Sequence, residues 1–210
     1  AKAKKEVVAL QHLKETLLSG KNARAVHMDD EDKKAVADLQ LLTAKPVIYV
    51  ANVDEDSIHT GNKHVVALKN LVKDENAEVV VISAAIEAQI AELDNEADRQ
   101  EFLREYGLQE SGLNKLIRAC YHLLDLITYF TAGEKEVRAW TIVKGWKAPQ
   151  AAGVIHSDFE KGFIKAEVIK LSDYQQYKSE QACKEAGKIA IEGKDYVVLD
   201  GDIMHFRFNV

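Results

Sequence analysis

At 210 residues the chain suits one domain of ordinary size or two small ones. A hydrophobic fraction of 47% beside 30% charged residues is the balance of a globular protein and excludes a disordered one. The net charge of -6 argues against a wholesale electrostatic hold on nucleic acid but leaves room for a local basic patch, because binding responds to the field at one face. No apolar run approaches the roughly 20 residues that span a bilayer, and the start is not a signal peptide. The two cysteines, Cys120 and Cys183, form no CxxC pair. Cys120 lies in an apolar helical stretch and reads as a reduced, buried thiol. Together these features point to a cytoplasmic protein with no membrane partner.

Residues 1–42 read as two helices of an arm. Val7, Leu10, Leu13 and Leu17 recur at helical spacing, and Gly20 follows as a stop signal. A second helix is expected from the acidic Asp29-Asp30-Glu31 to about Leu42, its carboxylates at the positive end of the helix dipole. Ala1 stands inside a helical pattern with no Met before it, so the chain reads as cut from a longer one.

The composition then changes. Residues 46–51 form an apolar, β-branched run expected to be a strand buried on both faces. A helix over about Gly61–Lys73 and a second strand over Glu78–Ile82 complete a βαβ unit, so the strands should be parallel. Glu87–Leu108 is acidic and largely helical, and its carboxylates read as a solvated face. The apolar series Leu113, Leu116, Ile117, Cys120, Leu123, Leu124 and Ile127 marks an amphipathic helix.

From about Thr128 the pattern is one of strands and turns. Residues 136–141 and 163–171 alternate as strands do. Ser172 is placed to cap a helix over about Asp173–Ala186, closed by Gly187. Asp200-Gly201-Asp202 between two apolar runs predicts a hairpin. One helix on a small mixed sheet is an α+β layer arrangement, of which the β-grasp is one form. The expected fold class is therefore α/β followed by α+β.

The sharpest chemical feature is Asn52-Val53-Asp54-Glu55, directly after the first strand, where open parallel sheets bind their ligands. An amide and a carboxylate in such a loop can read a purine edge. The second strand ends in Ser83-Ala84-Ala85, small residues that let backbone N–H groups approach a base. Each loop alone reads more readily as a tight turn than as a binding loop. Their placement on adjacent strands brings the binding reading level with the structural one.

The stretches LLTAKPVIYVANVDED, VVVISAAIEAQIAELD, GLNKLIRACYHLLDLITYFTAGEKEVRAWTI, AAGVIHSDFEKGFIKAEVI and EGKDYVVLDGDIMHFRFNV resemble the Obg-like ATPase (YchF) family of P-loop nucleotide hydrolases. The resemblance implies a helical arm segment at 1–42, the carboxy-terminal part of a nucleotide-binding G domain at 43–127, and a TGS domain of β-grasp, ubiquitin-like fold at 128–210. It places Asn52 and Glu55 at the two informative positions of the family's NxxE loop, which stands where ordinary GTPases carry NKxD. An Asp in the last position accepts from guanine N1–H and N2–H2, whereas a Glu, one methylene longer, cannot keep that geometry without moving. A misplaced buried polar group costs about 1–3 kcal/mol, enough to erase or invert base preference. Val53 replaces the usual Lys and is expected to supply backbone contacts, and Ser83 and Ala84 match the second base-side loop.

The resemblance further implies ATP (or GTP) with Mg²⁺ as the ligands of a full-length parent, and ribosome or RNA as partner of the TGS domain and arm. No GxxxxGK(S/T) loop and no DxxG-type switch occurs in the 210 residues, so phosphate and Mg²⁺ binding is expected from a missing amino-terminal portion and the chain alone is expected to be inactive. The alternative class is a non-enzymatic module that contacts ribosome or RNA independently of nucleotide. Lys144, Lys147, Lys161, Lys165 and Trp146 are candidates for a basic and aromatic face serving that contact. His156, Asp158 and Glu160, read as one strand, lack a second cluster to complete a metal site. The remaining histidines show no HExxH spacing, and no nucleophile pair is evident.

Overall fold

In a computed structural model describing residues 2–75, 77–133 and 136–209, the chain separates into two compact units, 1–123 and 124–210. Ala1, on which the expectation of a cut chain rests, lies outside the described residues, as do Glu134, Lys135 and Val210 of the resembling stretches. Among the described residues no helix is long and apolar enough to cross a membrane.

The first unit opens with α1 (Lys2–Leu18), ended at Gly20, whose φ of +81° suits a residue without Cβ. The buried line of α1 runs through Ala9 and Leu13, whereas Val7, Leu10 and Leu17 lie open, so only part of the predicted stripe packs. The second helix is shorter than expected. Asp29 caps α2 (Asp30–Val36) by accepting from the Asp32 N–H, a 3-10 turn follows over Ala37–Leu39, and Gln40 turns left-handed at φ +45°. Helix α1 packs against α2.

Strands β1 (Ile48–Asn52) and β2 (Glu78–Ile82) pair in parallel, joined through α3 (Lys63–Val72), as the βαβ pattern predicts. Asn62 caps α3 by accepting from the His64 and Val65 N–H groups. The strand β1 is not buried on both faces: Val50 is 44% exposed, because the sheet has two strands among the described residues. The acidic stretch divides into α4 (Ala84–Ala91) and α5 (Glu96–Glu105), the latter capped by Asn95. The amphipathic helix, α6 (Gly112–Leu123), stops before Ile127. Asp125 takes φ +50° just past the helix, and Ile127 enters a strand instead, since an apolar residue four positions on fits either period. The buried residues of α6 are Gly112 and Ala119, and Cys120 is half-buried rather than buried; Cys183 is the fully enclosed thiol.

In the second unit β3 (Leu126–Ala132), β4 (Val137–Val143), β5 (Phe163–Lys170), β6 (Ala190–Glu192) and β7 (Asp202–Phe208) form a five-stranded mixed sheet in the order β4-β3-β7-β5-β6. The central pair β3 and β7 is parallel, and the other pairs are antiparallel. Helix α7 (Ala148–Ile155) lays Ala148, Ala151 and Ala152, all fully buried, onto a core that includes Tyr129, Ile142, Val168 and Met204. Alanines bring the helix axis close enough for the Tyr129 hydroxyl to donate to the Ala151 carbonyl at 2.9 Å. This is the helix-on-mixed-sheet arrangement of a β-grasp.

Three local expectations are corrected. His156–Gly162 is not a strand: Ser157–Lys161 forms a short helix, α8, in which His156 Nδ1 accepts from the Asp158 N–H at 3.2 Å. The single helix expected after Ser172 is two, α9 (Leu171–Tyr177) and α10 (Glu180–Glu185), because Lys178 adopts φ +65° and Ser179 starts the second by capping it. Residues 196–199 do not form a hairpin arm with β7. Val198 N–H donates to the Trp146 carbonyl and Ala148 N–H to the Tyr196 carbonyl, so this segment runs beside residues 146–148. The fully buried Asp202 carboxylate pins the turn by accepting from Lys170 Nζ (2.6 Å), Tyr196 OH (2.6 Å) and Leu199 N–H (2.9 Å).

Candidate functional site

The parallel register sets Asn52 opposite Ile82, so the loops after β1 and β2 leave the sheet side by side. Asn52 Oδ1 accepts from the Ala84 N–H at 2.9 Å, a direct bond between the two loops. The Val53 N–H donates to the Ile82 carbonyl at 2.9 Å and its side chain is buried, so Val53 extends the sheet by one rung before the loop departs. Asp54 Oδ1 accepts from the Ser57 N–H at 2.9 Å and caps the 3-10 turn Glu55–Ser57. The turn-shaping role weighed in the sequence thus belongs to Asp54, while Asn52 reaches across to the neighbouring loop.

Glu55 is half-buried and held at both oxygens. Gln89 Nε2 donates to Oε1 at 3.1 Å, and the Tyr106 hydroxyl to Oε2 at 3.3 Å. Burial, and next the Glu55 charge, raise the Tyr106 pKa, so the phenol remains a donor at neutral pH. Neither Gln89 nor Tyr106 belongs to the NxxE motif. The signal that could have found Gln89 is its place on the helix that starts at the Ser83-Ala84 loop; Tyr106, 51 residues beyond Glu55, carries no local signal.

Ser83 is buried at the end of β2, and its Oγ is the buried side-chain polar atom without a hydrogen-bond partner among the described residues. Such an orphan is costly unless a ligand group or a rearrangement satisfies it. Ala84, next in sequence, is exposed and opens α4. The structure therefore brings Asn52, Val53, Ser83 and Ala84 together, with Glu55 one turn further on and directed toward α4 and α5.

The candidate basic and aromatic residues are used differently. Lys147 pairs with Asp195 at 2.7 Å, and Trp146 packs half-buried against the β-grasp core. Lys144 and Lys161 are exposed, and Lys165 is half-buried. Among the described residues no group of three or more His, Cys, Asp or Glu could hold a metal ion.

Residues 126–209 match the family YchF-GTPase_C, described as "Protein of unknown function (DUF933)". Over 98% of its length the chain is 54% identical to the ribosome-binding ATPase YchF of Bacillus subtilis (strain 168). The chain belongs to the YchF family. It is also 52% identical over 99% of its length to the ribosome-binding ATPase YchF of Escherichia coli O157:H7. The solved Schizosaccharomyces pombe YchF GTPase matches with a TM-score of 0.85 at 38% identity, over 97% of this chain and 55% of that one. A GTP-binding protein from Pyrococcus horikoshii OT3, at 19% identity and a TM-score of 0.55 over 87% of this chain and 51% of that one, shares the fold alone. The chain spans 56% of the Bacillus YchF and 57% of the Escherichia YchF. Its fold is that of a βαβ portion of a P-loop nucleotide hydrolase with a helical arm, joined to a β-grasp TGS domain.

Proposed function

We propose that this chain is the carboxy-terminal, base-reading portion of a cytoplasmic YchF-type protein that binds and hydrolyses ATP, with GTP as a second nucleotide. The carrying observation is the Asn52–Ala84 hydrogen bond, which ties the NxxE loop to the Ser83-Ala84 loop at the carboxyl ends of adjacent parallel strands. In this reading Asn52, Val53, Ser83 and Ala84 line the base, and Glu55 governs which base is accepted. The orphaned Ser83 Oγ suits a pocket floor that gains a polar partner when a nucleotide arrives.

The residues present fit the base and not the phosphates. With no GxxxxGK(S/T) loop in the sequence, the phosphates and Mg²⁺ fall to a portion of the parent beyond these 210 residues. Mg²⁺ there would supply charge neutralisation for phosphoryl transfer; the residues of this chain would orient the base. The names of the bacterial relatives support ribosome association for the parent, which we assign to the TGS domain and the arm, with ribosomal RNA as the contacted chemistry.

The test compares the purified 210-residue chain with its full-length parent in a Mg²⁺-dependent ATPase assay. The parent is expected to turn over ATP and the chain alone to stay at background. Robust hydrolysis by the pure chain would overturn the division of labour, and an inert parent would overturn the enzyme reading.

A further inference from the structure

We propose that Gln89 and Tyr106 set the base preference of the NxxE loop by holding the Glu55 carboxylate toward α4 and α5, which makes them specificity-determining positioning residues. The inference rests on the nucleotide reading above and adds to it the groups that aim Glu55.

Each Glu55 oxygen has its own donor, an amide from α4 at 3.1 Å and a phenol at the end of α5 at 3.3 Å. The donors are themselves fixed. The Tyr106 ring lies 4.8 Å from the Phe102 ring, centroid to centroid, and its carbonyl is 2.7 Å from His59 Nε2, on the chain just past the 3-10 turn. The loop is thus tied to α4 at two points, by Asn52 to its first residue and by Glu55 to Gln89. Binding guanine through its N1–H and N2–H2 requires a carboxylate with two oxygens free to turn toward that edge. Glu55 can do so only by giving up the Gln89 and Tyr106 hydrogen bonds, which would leave a half-buried carboxylate without its two donors. Adenine presents no such donor pair, so a Glu55 held aside costs it nothing. The preference arises from where the carboxylate is held as much as from its length.

The experiment measures equilibrium affinities for ATP and for GTP, each with Mg²⁺, by calorimetry on the full-length parent. Tyr106→Phe removes the hydroxyl and keeps the ring on Phe102; Gln89→Leu removes the amide. The double variant is expected to move the ATP-to-GTP affinity ratio toward GTP by about threefold to tenfold. ATP affinity should stay within about twofold, since no adenine donor depends on the released carboxylate. Glu55→Asp should shift the ratio the same way in the wild-type background and add little in the double variant, because all three act on one group. An unchanged ratio in the double variant, with Glu55→Asp still shifting it, would overturn the proposal and leave the nucleotide reading standing. Equal weakening of both nucleotides would show a merely structural role and overturn it too. If Glu55→Asp and Asn52→Ala leave both affinities untouched, the nucleotide reading itself fails.

Discussion

Glu75 accepts hydrogen bonds from Asn22 Nδ2 (2.7 Å), Arg24 Nε (2.8 Å) and Tyr49 OH (2.9 Å), while the Arg24 guanidinium also donates to the Thr43 and Lys45 carbonyls. The side chains of Arg24 and Glu75 are only 14% and 16% exposed, so water screens this pair far less than a surface one. The network joins the helical segment to the entrances of both strands. The Arg24 hydrogen bond, followed by those of Tyr49 and Asn22, holds the Glu75 carboxyl below its ordinary pKa against the opposing effect of burial. A depressed folded-state pKa gives stability that is full above the unfolded carboxyl value, about 4.3, and is lost as pH falls through the folded value. Glu75→Gln is therefore expected to cost about 1–3 kcal/mol at neutral pH. The gap in urea midpoint between variant and wild type should narrow on acidification below about pH 4. A gap independent of pH would show that charge is not what Glu75 contributes. None of this was legible in the sequence, because Asn22, Arg24, Tyr49 and Glu75 are brought together by the fold and share no motif.

Among the elements, those with a long unambiguous period were read well and those shaped by one side chain were not. The βαβ unit and its parallel pairing follow from two β-branched runs flanking a helical one. The breaks at Lys178 and Asp125, non-glycine residues in the left-handed region, override a helical period that runs on past them. The hairpin at Asp200-Gly201 failed because residues 196–198 bond to 146–148 instead of β7, and Asp200 Oδ1 accepts from the Thr128 N–H at 2.8 Å. The site divides the same way: the placing of Asn52 beside Ala84 follows from strand order, while the partners of Glu55 come from helices whose contacts no spacing encodes. The interface of α7 makes the packing claim testable. Ala152 is fully buried, so Ala152→Leu should destabilise the isolated chain by about 1–3 kcal/mol or more through overpacking. Ala139→Leu, on the exposed part of β4, should stay within about 0.5 kcal/mol. Equal midpoints for the two in chemical unfolding would contradict the close approach of α7 to the sheet.

At the scale of the whole molecule, the sheet of the first unit has two strands among the described residues, and Val50 on β1 is exposed. Unpaired strand edges bearing apolar side chains template association. The 210-residue chain is therefore expected to self-associate with rising concentration in sedimentation velocity, and Val50→Lys to reduce that association. Identical concentration dependence for the two would place the contact elsewhere. The second unit has a different exposure in time. Its sheet centre is β7, the latest strand in chain order, paired with the earliest, β3. The turn before β7 docks on Thr128 from 72 residues away. A chain made from its amino end toward its carboxyl end can form the β3–β4 hairpin early, but the gap between β3 and β5 stays open until residues 202–208 have emerged. The closing strand bonds to both neighbours at once, so the unit has no stable half-sheet to rest in. Closure of its sheet is a single late event that waits for residues 202–208.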